Sequence, residues 1–114
     1  MRTIPANLIL RLVADILDAR ARRLRGRVEH NRRGGGQAHA VGRRRMVAGL
    51  EQQVRVLRAL KAEGEIRADV AGLMLAWAGC WGDAIALLEE IDPRVEALAA
   101  GDYVAACRVL LGAR

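Results

Sequence analysis

Apolar residues return every three or four positions between Asn7 and Arg25, which is the spacing of one face of an α-helix. The stripe is formed by Leu10, Val13, Leu17, Ala21 and Leu24. It is broad up to Leu17 and narrows where arginines begin. We therefore predict a helix whose front half packs in a core and whose rear half carries charge into solvent. Pro5 suits its first turn, and Thr3 or Asn7 has the side-chain type of an N-cap.

The same periodicity predicts two helices in the middle of the chain. One extends from Arg43 to Glu63 and ends before Gly64, a residue type that readily adopts the left-handed conformation of a C-cap. The next begins near Ile66. Its apolar face is formed by Ile66, Val70, Leu73, Trp77 and Cys80.

Short helices are predicted for the last third of the chain. Asp83 has the residue type of an N-cap for a helix from Ala84 to Ile91. Asp92-Pro93 begins a further short turn. Gly101-Asp102 interrupts the helical pattern and caps a final helix that contains Cys107. Both cysteines fall within apolar helical patterns, so we expect two buried thiols.

Composition agrees with a helical fold. The 114 residues include no Phe and no Ser, and only one Tyr; Ala, Leu, Arg and Glu, all helix-favouring residues, dominate. Length indicates one domain. We predict an all-α single domain, an irregular bundle of four to six helices. The three glycines at 34–36 favour a long, flexible, basic Gly/Arg-rich loop over 26–42, between the first and second helices.

The uncharged run from Val70 to Gly82 is too short to cross a bilayer, which takes about twenty apolar residues. At the N-terminus, Arg2, Pro5 and Arg11 interrupt any pattern of a signal peptide. We therefore expect a cytoplasmic protein with no membrane partner.

Basic charge is concentrated in one segment. Ten arginines and one acid, Glu29, lie between Arg20 and Arg45, a net charge of +9 with histidine neutral. The remainder of the chain is balanced or slightly acidic. Such a segment attracts a polyanion, and nucleic acid is the commonest one. The candidate nucleic-acid-binding residues are Arg20, Arg22, Arg23, Arg25, Arg27, Arg32, Arg33, Arg43, Arg44 and Arg45.

Aromatic residues are missing between Arg20 and Arg45, whereas single-strand binding usually stacks bases on aromatic side chains. The sequence therefore favours contact with the backbone of duplex DNA or a structured RNA. An alternative partner is an acidic protein, with the chain acting as an adaptor or inhibitor. Trp77 and Trp81 are four residues apart on one predicted helix face, and with no Phe in the chain they are its largest apolar side chains. They either pack in the core or form part of a homodimer interface.

The sequence contains few residues that could act in catalysis. A serine triad is impossible without serine. His30 and His39 are two potential metal ligands, whereas a metal site takes three or four at defined spacing. We expect no metal, no cofactor and no catalytic residue.

Two short stretches resemble known families. The run from Leu10 to Asp18 resembles the opening of the first helix of small all-helical chorismate mutases, which implies an arginine-clamp enzyme that stabilises a dicarboxylate. The chain departs from that family at Val28, where a binding arginine is expected. The segment from Val56 to Ile91 loosely resembles the core of winged-helix regulators. Its recognition-helix position, 84–90, carries no base-reading cation or amide.

Overall fold

Five α-helices, a short 3-10 helix and a two-stranded sheet form a single globule. The structure, a computed structural model, describes the backbone of residues 2–33, 37–98 and 101–114 and the side chains of residues 2–27, 41–98 and 101–114. The elements in chain order are β1 (Thr3–Pro5), α1 (Ala6–Arg33), α2 (Gln37–Ala59), β2 (Glu65–Arg67), α3 (Ala68–Ala78), α4 (Ala84–Ile91), the 3-10 helix (Pro93–Ala97) and α5 (Tyr103–Leu111). The predicted helical bundle is confirmed. Within these ranges no helix is both long and apolar enough to cross a membrane.

The antiparallel pair of α1 and α2 forms the largest helix contact of the fold. The predicted stripe of α1 is buried, and Leu10 and Leu17 are fully inaccessible to solvent. From α2, Leu50, Val54 and Leu57 pack into the same core, which α3, α4 and α5 complete. Since burying a side chain of this size contributes about 1.5–3 kcal/mol, the pair supplies much of the driving force for folding.

The helices reach further into the predicted 26–42 loop than the glycines suggested. α1 continues to Arg33 and α2 begins at Gln37, so Gly26 and Gly42 lie within helices. One glycine inside a helix costs only about 1 kcal/mol relative to alanine, and arginine, a good helix former, surrounds both positions. The glycine run at 34–36 lies outside the described residues.

A small sheet, absent from the sequence-based prediction, closes the opposite end of the bundle. β1 pairs antiparallel with β2, and Ile4 lies opposite Ile66. α2 consequently ends at Ala59 instead of the predicted Glu63. Gly64 adopts a positive φ of 76°, but it turns the chain into β2 and does not cap a helix.

The two residues expected to cap α1 have other partners. The Thr3 hydroxyl donates to the Glu65 carboxylate over 2.8 Å. The Asn7 side-chain oxygen accepts from the Ala62 backbone N–H over 3.1 Å. The capping prediction is therefore wrong, because both side chains fasten the start of α1 to the segment around β2.

The end of α3 differs from prediction. The helix stops at Ala78, and Cys80 has a φ of 81°, left-handed for a residue other than glycine. Its predicted burial is wrong, since the thiol is exposed. Trp81 consequently lies outside α3 and does not share a helix face with Trp77. Asp83 makes no side-chain capping hydrogen bond to α4, contrary to expectation.

Two predicted caps are confirmed in the last third of the chain. Asp92 accepts from the Arg94 backbone N–H at the start of the 3-10 helix, and the side-chain hydrogen bonds from Arg94 hold the pKa of Asp92 below its usual value. Asp102 accepts from the Ala105 N–H over 2.9 Å and caps α5. Gly101, at a φ of 85°, supplies the preceding break.

Gln53 attaches α5 to the hairpin of α1 and α2. Its amide nitrogen donates to the Gly101 carbonyl over 2.9 Å, and its amide oxygen accepts from the Tyr103 backbone N–H over 2.8 Å. One half-buried side chain thus satisfies two backbone groups that α5 leaves without helical partners.

We predict that Gln53→Ala lowers the free energy of unfolding by about 1–3 kcal/mol, because it leaves both backbone groups without their partner. Chemical denaturation monitored by circular dichroism measures the change. Gln52→Ala is the matched control, since Gln52 is exposed one residue earlier on α2, and we expect a change within about 0.5 kcal/mol. Equal destabilisation by the two substitutions would contradict the assignment.

Candidate nucleic-acid interface

The arginine-rich part of the hairpin projects beyond the core. Among the described side chains, the last buried residue of α1 is Ala21 and the first buried residue of α2 is Val47. Leu24 and Arg43 are partly buried, and the other described side chains between these limits are exposed. The molecule is elongated and measures 52 × 26 × 21 Å.

Six of the ten candidate arginines form no ion pair with any carboxylate whose side chain is described. One of them, Arg20, bonds to uncharged groups of the fold, and the other five are Arg23, Arg27, Arg43, Arg44 and Arg45. Arg43 is half-buried, and the other four are exposed. Because guanidinium groups stay protonated and bind phosphate through two parallel N–H donors, these side chains form a surface suited to anions.

Two other candidates are paired within the chain. Arg22 contacts Asp18 over 2.9 Å, and Arg25 contacts Glu51 across the two helices. Both arginine side chains remain mostly exposed, and ion pairs of this kind contribute about 0–1 kcal/mol. A polyanion can therefore compete with these carboxylates at small cost. The side chains of Arg32 and Arg33 lie outside the described residues.

Arg20 has a structural role that its neighbours lack. Its guanidinium donates to the Ala78 carbonyl over 2.8 Å and to the Tyr103 hydroxyl over 3.0 Å, and it lies 5.7 Å from the centre of the Tyr103 ring. A cation beside the last carbonyls of α3 also interacts favourably with the dipole of that helix. Nothing in the sequence distinguished Arg20 from the adjacent arginines, because its partners lie 58 and 83 positions away.

The arginines line two clefts, one on each flank of the hairpin. On one flank a cleft of about 340 Å³ is lined by Arg25, Arg44, Val47, Ala48, Glu51 and Arg55. On the other a cleft of about 390 Å³ is lined by Arg20, Arg23, Leu24, Arg27, Met46, Gly79 and Cys80. Both are open to solvent. The first contains a carboxylate that already pairs with Arg25, whereas none of the described residues that line the second is acidic.

The two tryptophans occupy different environments. Trp77 is buried and packs on Tyr103 with ring centroids 4.4 Å apart. Trp81 is 50% exposed. The homodimer interface stays a prediction, and only Trp81 of the pair is available at the surface of the described fold.

The other described side chains considered for chemistry are the cysteine thiols. Burial raises the pKa of Cys107 to about 12, whereas Cys80 is exposed. His30 and His39 have side chains outside the described residues. Among the side chains that are described, no group of three potential metal ligands lies together.

We predict that Arg20→Leu lowers the free energy of unfolding by about 1.5–3 kcal/mol, because the charged hydrogen bonds to α3 and α5 are lost. Arg23→Leu, one turn away and exposed, is the control and should change stability by at most about 0.5 kcal/mol. Thermal and denaturant unfolding provide the measurements. If the two variants were equally stable, Arg20 would not have the structural role described.

We also predict that one of the two thiols reacts with a disulfide reagent in the folded protein. With a pKa of about 12, roughly one in ten thousand Cys107 thiols is ionised at pH 8, and the thiolate is the reactive form. Absorbance of the released thiol counts the groups: Cys80→Ala should abolish the native reaction, and Cys107→Ala should leave it intact. Two reactive thiols in the folded protein would contradict the burial of Cys107.

The described fold places arginines of α1 and α2 around two clefts of the hairpin. It separates Trp77 from Trp81 and assigns Arg20 to the connection between helices. It also adds Met46, Cys80 and Trp81 to the surroundings of the arginines. No protein-family model, curated protein or solved structure matches this chain.

Proposed function

We propose that the protein binds nucleic acid through the phosphate backbone, using the arginines of the projecting hairpin. The observation that carries the proposal is the group of five arginines without a described carboxylate partner on a helical overhang. Phosphate contact requires no sequence-specific geometry, only cations held on a stable support. The two long helices provide that support because their other ends are anchored in the core.

Electrostatic repulsion within the hairpin favours an anionic partner. Arg23 and Arg27 are four positions apart on α1, and like charges at this spacing destabilise a helix by about 0.2–0.5 kcal/mol. Arg43, Arg44 and Arg45 follow one another on α2. A polyanion relieves this repulsion and releases its own condensed counterions, which makes binding favourable at low salt.

An acidic protein partner is the second candidate. It is favoured by exposed apolar side chains on the same globule, including Trp81, Leu87 and Ile91, since such residues often form protein contacts. Affinity capture with and without nuclease distinguishes the two functions: partners that persist after digestion support an adaptor or inhibitor. The third candidate, an arginine-clamp enzyme, requires arginines that converge in an enclosed pocket, whereas the clefts described above are open.

We predict that the protein binds short duplex or single-stranded oligonucleotides at 50 mM salt. Neutralising about five phosphates should weaken binding on the order of a hundredfold at 200 mM salt. The triple variant Arg43→Gln, Arg44→Gln, Arg45→Gln should bind at least tenfold more weakly and show a shallower salt dependence. Fluorescence anisotropy of a labelled oligonucleotide measures both quantities.

The matched control is Arg2→Gln, Arg108→Gln, Arg114→Gln, which removes the same charge from exposed positions outside the hairpin. We expect this control to change affinity less than threefold. Equal weakening by the two triple variants would mean that net charge, and not the hairpin, drives binding. Failure to bind either form of nucleic acid at 50 mM salt would overturn the proposed function.

A further inference from the structure

The cleft on the acid-free flank of the hairpin combines cations with apolar surface. Arg20, Arg23 and Arg27 line it from α1, and Met46 lines it from α2. None of its described lining residues carries a carboxylate. Arg20 is held in place by its hydrogen bonds to α3 and α5, so the cleft has one fixed cation beside two exposed ones.

An exposed tryptophan directly follows a residue that lines this cleft. Cys80 is a lining residue, and Trp81 is its immediate neighbour in the chain. The turn that carries them is fixed by backbone hydrogen bonds: the Cys80 N–H donates to the Trp77 carbonyl over 3.1 Å, and the Trp81 N–H donates to the Ala76 carbonyl over 2.9 Å. Half of Trp81 therefore remains in solvent on an ordered segment.

Met46, 53% exposed on α2, extends the apolar surface on the other side. Large apolar side chains at the surface are individually ordinary. Here Met46 lines the same cleft as Arg23 and Arg27, which have no described carboxylate partner, and Trp81 follows the lining residue Cys80. Cations combined with aromatic faces are the features that hold unpaired bases and their phosphates together.

We infer that this flank binds single-stranded nucleic acid, with phosphates on Arg23 and Arg27 and a base stacked on Trp81. The inference rests on the proposed function and refines it. In a duplex the bases are already stacked on one another, so an exposed indole adds little to duplex binding. An unpaired base offers a free face, and stacking on an aromatic side chain contributes about 1–3 kcal/mol.

Single-strand binding on this flank differs from the contact with duplex DNA or structured RNA that was expected from the sequence. That expectation depended on the lack of aromatic residues between Arg20 and Arg45. The fold places the segment after α3 against the arginine-bearing part of α1, so an aromatic residue from position 81 joins arginines from positions 20–27.

Binding of dT12 and rU12 oligonucleotides, compared with a 12-base-pair duplex at equal salt, tests the inference. We expect both single strands to bind more tightly than the duplex and to quench tryptophan emission. Trp81→Leu should weaken single-strand binding by about five- to a hundredfold, the fold-change that corresponds to loss of one base stack, and should leave duplex binding within twofold.

Two variants control for indirect effects. Trp81→Phe keeps an aromatic face and should restore most of the single-strand affinity. Leu8→Ala removes another exposed apolar side chain, 48% accessible on the first turn of α1, and should have no effect on binding. Loss of affinity in Trp81→Phe equal to that in Trp81→Leu would contradict a stacking role.

Protection of the Cys80 thiol provides a separate measurement in the unmodified protein. Iodoacetamide should alkylate Cys80 and leave the buried Cys107 unreacted, and saturating dT12 should slow this reaction at least fivefold. If dT12 binds with the expected salt dependence yet changes neither Cys80 alkylation nor tryptophan emission, the inference fails and the proposed function stands. If neither single strand nor duplex binds at 50 mM salt, both fail.

Discussion

The hairpin of α1 and α2 is longer than the core that stabilises it, and the display of the arginines depends on this mismatch. α1 continues for twelve residues after Ala21, the last buried position among its described side chains, which is roughly 18 Å of helix. No described side chain beyond Leu24 on this helix packs into the core. Helical hydrogen bonds and the high helix propensity of arginine maintain the extension. A shorter helix would bring the same charges against the globule, where its carboxylates would neutralise them.

The rest of the fold fixes the base of this extension. β1, β2 and the Asn7–Ala62 hydrogen bond hold one end of α1. Gln53 and Arg20 connect the middle of the hairpin to α5 and to the end of α3. Each of these two polar side chains bonds to groups far away in sequence, so a few hydrogen bonds orient the short helices relative to the long ones. The apolar core supplies the stability, and the polar contacts supply the arrangement.

The helical stripes were predictable because burial follows from periodicity alone. Leu10, Val13 and Leu17 were assigned to the core from their spacing, and all three are buried. The caps at Asp92 and Asp102 were predictable since each follows from a local residue pattern. The sheet was not predictable, because strands of three residues are too short to show an alternation of apolar and polar positions.

Features that depend on long-range contacts could not be predicted from the sequence. Cys80 fits the apolar face of α3 by spacing, but the helix ends two residues earlier. The connection between α1 and α2 is shorter than Gly26 and Gly42 suggested, since surrounding arginines sustain the helix. The arginine cluster itself was evident from charge, whereas its division between two flanks depends on helix rotation and on Glu51. The role of Arg20 depends on Ala78 and Tyr103, which no local pattern relates to it.

Arg20 belongs both to the scaffold and to the acid-free cleft, and this double position creates thermodynamic linkage. An anion that draws its guanidinium away from Ala78 and Tyr103 must offset those tertiary hydrogen bonds, which lowers the affinity measured at that residue. An anion that binds the remaining N–H donors without disturbing them instead stabilises the native state by mass action. The orientation of one guanidinium group therefore decides whether occupancy of the cleft loosens the attachment of α1 to α3 and α5 or tightens it.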